Sequence, residues 1–246
     1  MAQLATPAFL EQLKATYPSR DALGSDVVLS NPWCLVAAVA FSASNVPEAI
    51  PLIWEYTLRD LVEVQGNELS QEQRQQERLA LARRIREALL QSGLLSGMPR
   101  VINSLLALNT VMPEELREKQ VLRDTNKHMS EFDKSGRDLF LAMYRDTGDA
   151  VQSLLDSAYP DLGWWCNTIG YGVTYGGTSV LSQVESSFTI VAALIAVDAP
   201  RQITWHLANA QNGGATLDEA KAVRKIAMDV AERAGLVWKA GVPEVV

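Results

Sequence analysis

Between Ser70 and Gly93 the chain reads SQEQRQQERLALARRIREALLQSG. Leu79, Ala82, Ile85, Leu89 and Leu90 share one stripe, and Arg83, Arg84 and Glu87 lie mostly outside it. Apolar residues returning every three or four positions mark one face of a helix, because an α-helix turns once in about 3.6 residues. The same period runs through PAFLEQLKATY, PWCLVAAVAFSAS, MPRVINSLLALNTVM, SQVESSFTIVAALIAVD, APRQITWHLANAQNGG and TLDEAKAVRKIAMDVAERAG. VPEAIPLIWEYTLRDLVEVQG reads as a helix interrupted near Pro51, and PEELREKQVL opens like another. DLFLAMYRDTG, DAVQSLLDSAY and PDLGWWCNTIGYGVTYGG read as short helices ending in a glycine-rich turn. Nothing alternates strand with helix as a parallel sheet requires. The sequence predicts an all-α fold.

Two regions echo each other. LVAAVAFSASNVPEAIPLIWEYTL, from Leu35, aligns with IVAALIAVDAPRQITWHLANA, from Ile190. Each has an alanine-rich helix, an X-Pro turn, and a second helix with a tryptophan before an ionisable residue: Trp54-Glu55 in one, Trp205-His206 in the other. The next helices match in N-cap, length and terminal glycine. A three-helix unit used twice predicts a helical half over 1–122, a polar connector over 123–136 and a second half over 137–246. Similarity of composition among alanine-rich helices is the alternative.

Composition narrows the function. The 246 residues carry a formal net charge of −7, which disfavours an electrostatic grip on nucleic acid or on an anionic membrane. The longest apolar runs, Trp33 to Phe41 and Phe188 to Val197, reach about half a membrane span. The first residues, with Glu11 and Lys14 among them, do not read as a secretory signal. A soluble, cytoplasmic protein is the expectation, with organelle addresses left open. Cys34 and Cys166 are too few and too far apart for a disulfide framework or a zinc site, and both read as buried thiols.

One of two histidines, His206, comes after the turn Asp198-Ala199-Pro200, and Glu185 precedes it. Antiparallel helices joined by a short turn let both residues border one inter-helix space. A carboxylate there orients an imidazole and raises its pKa, giving an acid–base pair. Trp164, Trp165, Tyr171 and Tyr175, in GWWCNTIGYGVTYGG, are groups that line small-molecule pockets. The residues also admit plainer roles: His206 as a packed or helix-end residue, Glu185 as a capping-box acid after Ser182, the aromatics as core, and His128 as a surface residue.

The stretch LSQVESSFTIVAALIAVDAPRQITWHLANAQNGGATLDEAKAV resembles the carboxymuconolactone decarboxylase superfamily, which includes alkyl hydroperoxidase D. The resemblance rests on Leu181, Glu185, the IVAALIA run, His206, Ala208, Asn212, Gly213, Thr216 and Glu219, with weaker similarity over 31–108. It implies that superfamily's helical fold and a trimeric or hexameric homo-oligomer. Ala199 and Gln202 stand where the thiol-dependent branch carries Cys-X-X-Cys, so the resemblance is to the branch without cofactor or metal. It further implies His206 and Glu185 as catalytic groups, with Trp164, Trp165, Cys166, Tyr171, Tyr175 and Arg201 around a small organic acid or lactone. The activity expected is decarboxylation or a related proton transfer on such an acid, lactone or polyketide-like compound. A catalytically silent helical protein serving oligomerisation or ligand binding is the alternative.

Overall fold

The computed structural model describes residues 4–18, 24–66 and 69–246. In chain order its helices are α1 (Pro7–Thr16), α2 (Asp26–Leu29), α3 (Trp33–Ala43), α4 (Ala49–Val64), α5 (Gln71–Ser96) and α6 (Met98–Val111). After a 3₁₀ turn at Glu114–Leu116 come α7 (Met129–Tyr144), α8 (Gly148–Ala158), α9 (Pro160–Trp165) and a π-helix over Cys166–Tyr175. The chain finishes with α10 (Gln183–Ala196), α11 (Pro200–Asn212) and α12 (Leu217–Arg233). Among the described residues there is no strand, so the fold is all-α.

Local chemistry sets these boundaries. Ser70, Ser182 and Thr216 each accept from the backbone N–H three residues on, and Gln73, Glu185 and Glu219 reach back to the cap's own N–H. Each such box satisfies two donors that the helix start leaves unpaired. Gly97, Gly214 and Gly235 take positive φ just beyond the C-terminal ends of α5, α11 and α12.

Every residue of α3 is buried, as is nearly all of α10, and these two helices form the centre of the bundle. α3 and α10 pack on each other, and each also packs on both α5 and α12. A helix covered on all sides has no reason to be amphipathic, which explains two alanine-rich apolar runs without a polar face. Window 26–43 is apolar enough to cross a membrane by composition, and here most of it is inside the protein. One continuous core draws on both ends of the chain, from Phe9 and Trp33 to Phe188 and Val230.

Two local expectations need correction, and a third gains detail. Pro51 does not interrupt α4, because it is the third residue of that helix and its missing N–H falls where no intrahelical partner exists. PEELREKQVL gives only the 3₁₀ turn; Arg117 turns back onto the carbonyls of Met112 and Asn109, and Glu118 is held by Arg83. The polar connector is helical from Met129 onwards, starting on exposed His128 as N-cap. Its first residue, Arg123, binds buried Glu87 and the carbonyls of Val173 and Thr174.

Candidate functional site

Of the glycines in NTIGYGVTYGG, Gly170 and Gly172 work within a helix, and the turn begins at Gly176. A Cβ on Gly136 of α7 would come within 2.0 Å of the Asn167 carbonyl oxygen, and one on Gly172 within 2.2 Å of the Phe132 carbonyl oxygen. The two backbones touch at a distance only glycine allows. The wider π-helical turn suits this contact and is a form found often at functional sites.

This approach gathers an aromatic cluster. Phe140 stacks on Tyr144 with ring centroids 4.5 Å apart and meets Tyr171 edge-on at 5.1 Å. Tyr175 stands 5.5 Å from Tyr171, and His206 5.8 Å from Tyr144. His206, Tyr144, Tyr171 and Tyr175 keep 7%, 6%, 6% and 7% of their surface accessible, whereas adjacent Met143 and Ile203 keep none. Each of these four buried residues therefore keeps a small accessible area.

The hydrogen bonds run in sequence. The Tyr171 hydroxyl is placed to donate to the Tyr144 oxygen. The Tyr144 hydroxyl lies 3.3 Å from His206 Nε2, and the Asn209 amide 3.5 Å from Nδ1. Oriented so that its NH₂ donates to the carbonyls of Met143 (3.0 Å) and Trp205 (3.1 Å), Asn209 turns its oxygen towards the ring. Nδ1 then carries the proton and Nε2 accepts from Tyr144. Burial holds the imidazole down to about 4, so it is neutral at physiological pH. Burial likewise raises Tyr144, Tyr171 and Tyr175 above the ordinary phenol value, with the neighbouring phenol adding to the effect on Tyr171, so all three stay protonated donors.

Arg145, next to Tyr144, has φ 47° and ψ −127°, a region that L-residues seldom occupy. Its guanidinium donates to the Asn212 carbonyl, and the Asn212 side chain donates to Met143 O at 2.8 Å. The ends of α7 and α11 are thus tied together beside the Tyr144–His206 contact, and strain of this kind tends to gather at working sites.

The sequence-derived site is only partly assembled. Glu185 is not the partner of His206. Its carboxylate is held by Arg84 of α5 and by Ser182 in the cap of α10. Burial alone would raise the Glu185 carboxyl, but Arg84 and the Ser182 bonds outweigh it and hold it below the usual range. Glu185 faces a cleft of about 390 Å³ with Tyr17, Ser30 and Phe188. The two residues diverge because His206 points to α7 and Glu185 to α5. His206 is also mid-helix, the seventh residue of α11, rather than near its C-terminal end.

Trp164 and Trp165 are about half exposed and pack edge to face on each other at 6.5 Å, so they do not line the cluster. Arg201 is exposed in the first turn of α11. Tyr171 and Tyr175 do belong to the cluster. Cys166 is half-buried rather than buried; its thiol, raised by burial, lies near enough to act on Tyr144, Tyr171 and Tyr175. Among the described residues no group of three His, Cys, Asp or Glu side chains could hold a metal ion.

No family model matches the chain. It is similar to two proteins named Peroxisomal protein 2. That of Saccharomyces cerevisiae is 28% identical over 87% of this chain and 92% of its own length. That of Schizosaccharomyces pombe is 30% identical over 83% of this chain and 88% of its own length. The chain belongs to the peroxisomal protein 2 family.

In this family member, sequence reasoning misses Tyr144, Asn209 and Arg84. Tyr144 ends a segment that reads only as a short helix, and its link to His206 spans 62 residues. Asn209 is within reach of such reasoning, because i+3 is the neighbouring position on a helix face. Arg84 reads as lying off the apolar stripe of its helix, yet its side chain is 12% exposed. The repeat also differs inside: Trp54 is buried with Glu55 exposed, while His206 is buried with Trp205 half-exposed. One residue is about 100° of helix rotation, so the two Trp-X pairs present opposite members to the core.

Proposed function

We propose that the chain is a peroxisomal, cofactor-free enzyme of the carboxymuconolactone decarboxylase type, carrying out decarboxylation or a related proton transfer on a small organic acid, lactone or polyketide-like compound. The location is supported by the name that the two yeast proteins above share. The chemistry is supported by one observation above the others: a buried, neutral His206 at the inner end of a Tyr171–Tyr144–His206 hydrogen-bond line.

The line works as a proton store. In enolisation, a proton leaving carbon passes to the Tyr171 oxygen as the Tyr171 proton moves to Tyr144 and the Tyr144 proton moves to Nε2. The resulting imidazolium keeps its Nδ1–H on Asn209 and returns the proton by the same path. In decarboxylation, the C–C bonding pair passes into an enolate as CO₂ leaves. That enolate oxygen takes hydrogen bonds from the Tyr171 or Tyr175 hydroxyl, and carbon is then protonated from solvent. Glu185 has no part in either step. With Arg84 it forms a separate structural ion pair.

The test is a panel of small carboxylic acids, lactones and β-keto compounds, read by mass spectrometry with wild type, His206→Gln and Tyr144→Phe. Consumption of a panel member that falls at least about 100-fold in both variants is expected, given the usual size of acid–base contributions. Unchanged turnover in both variants would remove this site from the chemistry. A second reading, a catalytically silent helical protein, is favoured by the exposed Tyr159, Leu162, Trp164 and Trp165, which suit a contact surface. It predicts that no panel compound is consumed.

A further inference from the structure

A second cavity, of about 460 Å³, opens between α5 and α6 and shares no residue with the His206 line. Its floor is buried Leu108 and Met112, and its rim carries Ile102 and Leu106, which are 50% and 62% exposed. Arg86, Arg117 and Glu118 close one end. Its size is that of a small-molecule site, and its apolar walls meet charge at a single place.

The charges at that end are unequally matched. Glu118 is held by Arg83 through two bonds of 2.6 and 3.2 Å. Arg117 binds Glu114 and the carbonyls of Met112 and Asn109. Arg86 makes one hydrogen bond, 2.8 Å to the Leu116 carbonyl, and no ion pair among the described residues. A guanidinium carries five N–H donors, so most of those on Arg86 have no protein acceptor. Burial lowers its pKa, and Glu118 only partly offsets that effect. An undercompensated cation beside an apolar trough calls for an amphiphilic anion.

We propose that this groove binds a medium- or long-chain carboxylate, with its carboxylate on Arg86 and its alkyl chain along Leu105, Ile102, Leu106 and Met112. A purely apolar ligand would leave the Arg86 donors unmet. A short acid would leave Ile102 and Leu106 in water. A carboxylate near Glu118 meets a negative charge already neutralised by Arg83, so Arg86 remains the attractive partner.

Titration calorimetry of the full chain with decanoate, decan-1-ol and acetate tests this. Decanoate should bind saturably at one site, with decanol and acetate at least about tenfold weaker, the factor expected for a charge-assisted bond. Arg86→Gln should weaken decanoate about tenfold and leave decanol unchanged. Leu106→Glu, on an exposed rim position that folding does not depend on, should weaken decanoate by a similar factor and covers a failure of the Arg86 variant to fold. His206→Gln should bind decanoate as wild type does, which separates this site from the proposed catalytic one. Absence of saturable decanoate binding, or decanoate affinity unchanged in Leu106→Glu or in folded Arg86→Gln, would overturn the proposal. So would light scattering showing a self-associated chain that dissociates on Leu106→Glu without any decanoate binding, because the groove would then be covered by a second copy.

Discussion

The Tyr144 hydroxyl and His206 Nε2 lie 3.3 Å apart, joining the end of α7 to the middle of α11 across 62 residues of sequence. The contact gives a buried imidazole a donor on Nε2, while the Asn209 oxygen receives its Nδ1–H. Both ring nitrogens are satisfied in the neutral form, and burial opposes the charged form. His206 is therefore held neutral inside the fold, and in the proposed reaction it is the group that takes up the proton.

Stability should report that state. The folded-state pKa is about 4 against 6.5 for a free histidine, so between these values the unfolded chain binds more protons than the folded one. The contribution is intact above pH 6.5 and is lost as the pH falls towards 4. Urea unfolding at pH 7.5 and pH 4.5 should show wild type losing roughly 2–3 kcal/mol more than His206→Gln over that interval, from about 1.4 kcal/mol per unit. Parallel pH profiles for the two proteins would mean that the imidazole is not held neutral by burial.

The helices are legible in the sequence because their period and caps are local: Ser70, Ser182 and Thr216 announce α5, α10 and α12. His206 is legible as one of the two histidines of the chain. Its partners are less so. Tyr144 comes close because α7 packs on α11, their ends tied by Arg145 and Asn212, and no local pattern encodes that approach. Glu185 misleads because distance from a turn fixes height along a helix pair but not the direction in which each side chain points. Arg84 sits off the apolar stripe of α5, yet α10 covers it, a tertiary fact that periodicity on one helix does not contain.

Glu185 and Arg84 should behave as a structural pair. Arg84→Met leaves a largely buried carboxylate without its cation, and a loss of about 2–4 kcal/mol at pH 7 is expected. The Glu185 pKa is depressed in the fold, so the pair contributes stability above the ordinary carboxylate pKa and loses it as the pH falls through the lowered value. Chemical denaturation should thus show a smaller Arg84→Met penalty at pH 4 than at pH 7. Arg84→Met and Glu185→Gln should both retain the wild-type steepening of stability with pH between 6.5 and 4 that His206 produces. Loss of that steepening would tie Glu185 to His206 after all.

The glycine contact sets a third expectation. Gly172→Ala places a methyl 2.2 Å from the Phe132 carbonyl oxygen, a backbone atom that cannot turn aside. α7 and the π-helix must then separate, at a cost of about 3 kcal/mol or more. Thermal unfolding should show a drop of many degrees, and Gly214→Ser, with nothing within 4 Å and φ 107°, should show a smaller one caused by backbone strain alone. Equal drops would mean that the close approach of the two helices is not what Gly172 provides.

Tyr144→Phe removes a single oxygen and keeps the ring that stacks on Phe140 at 4.5 Å. His206 Nε2 then loses its donor, and Tyr171 loses the oxygen to which it donates. Leaving buried groups unpaired costs about 1–3 kcal/mol, so the variant should fold with a modest loss of stability. The tautomer is the sharper readout. Wild type should show the Nδ1–H form by ¹⁵N NMR of the imidazole, held there by the Asn209 oxygen and the Tyr144 donor together. In Tyr144→Phe the Asn209 bond remains, so that form should persist, while the Nε2 resonance shifts towards that of a nitrogen without a hydrogen-bond donor. Asn209→Leu should do the reverse and populate the Nε2–H form, with Tyr144 turned from donor into acceptor. An Nε2–H form in wild type would reverse the direction of the line and make His206 the donor to Tyr144.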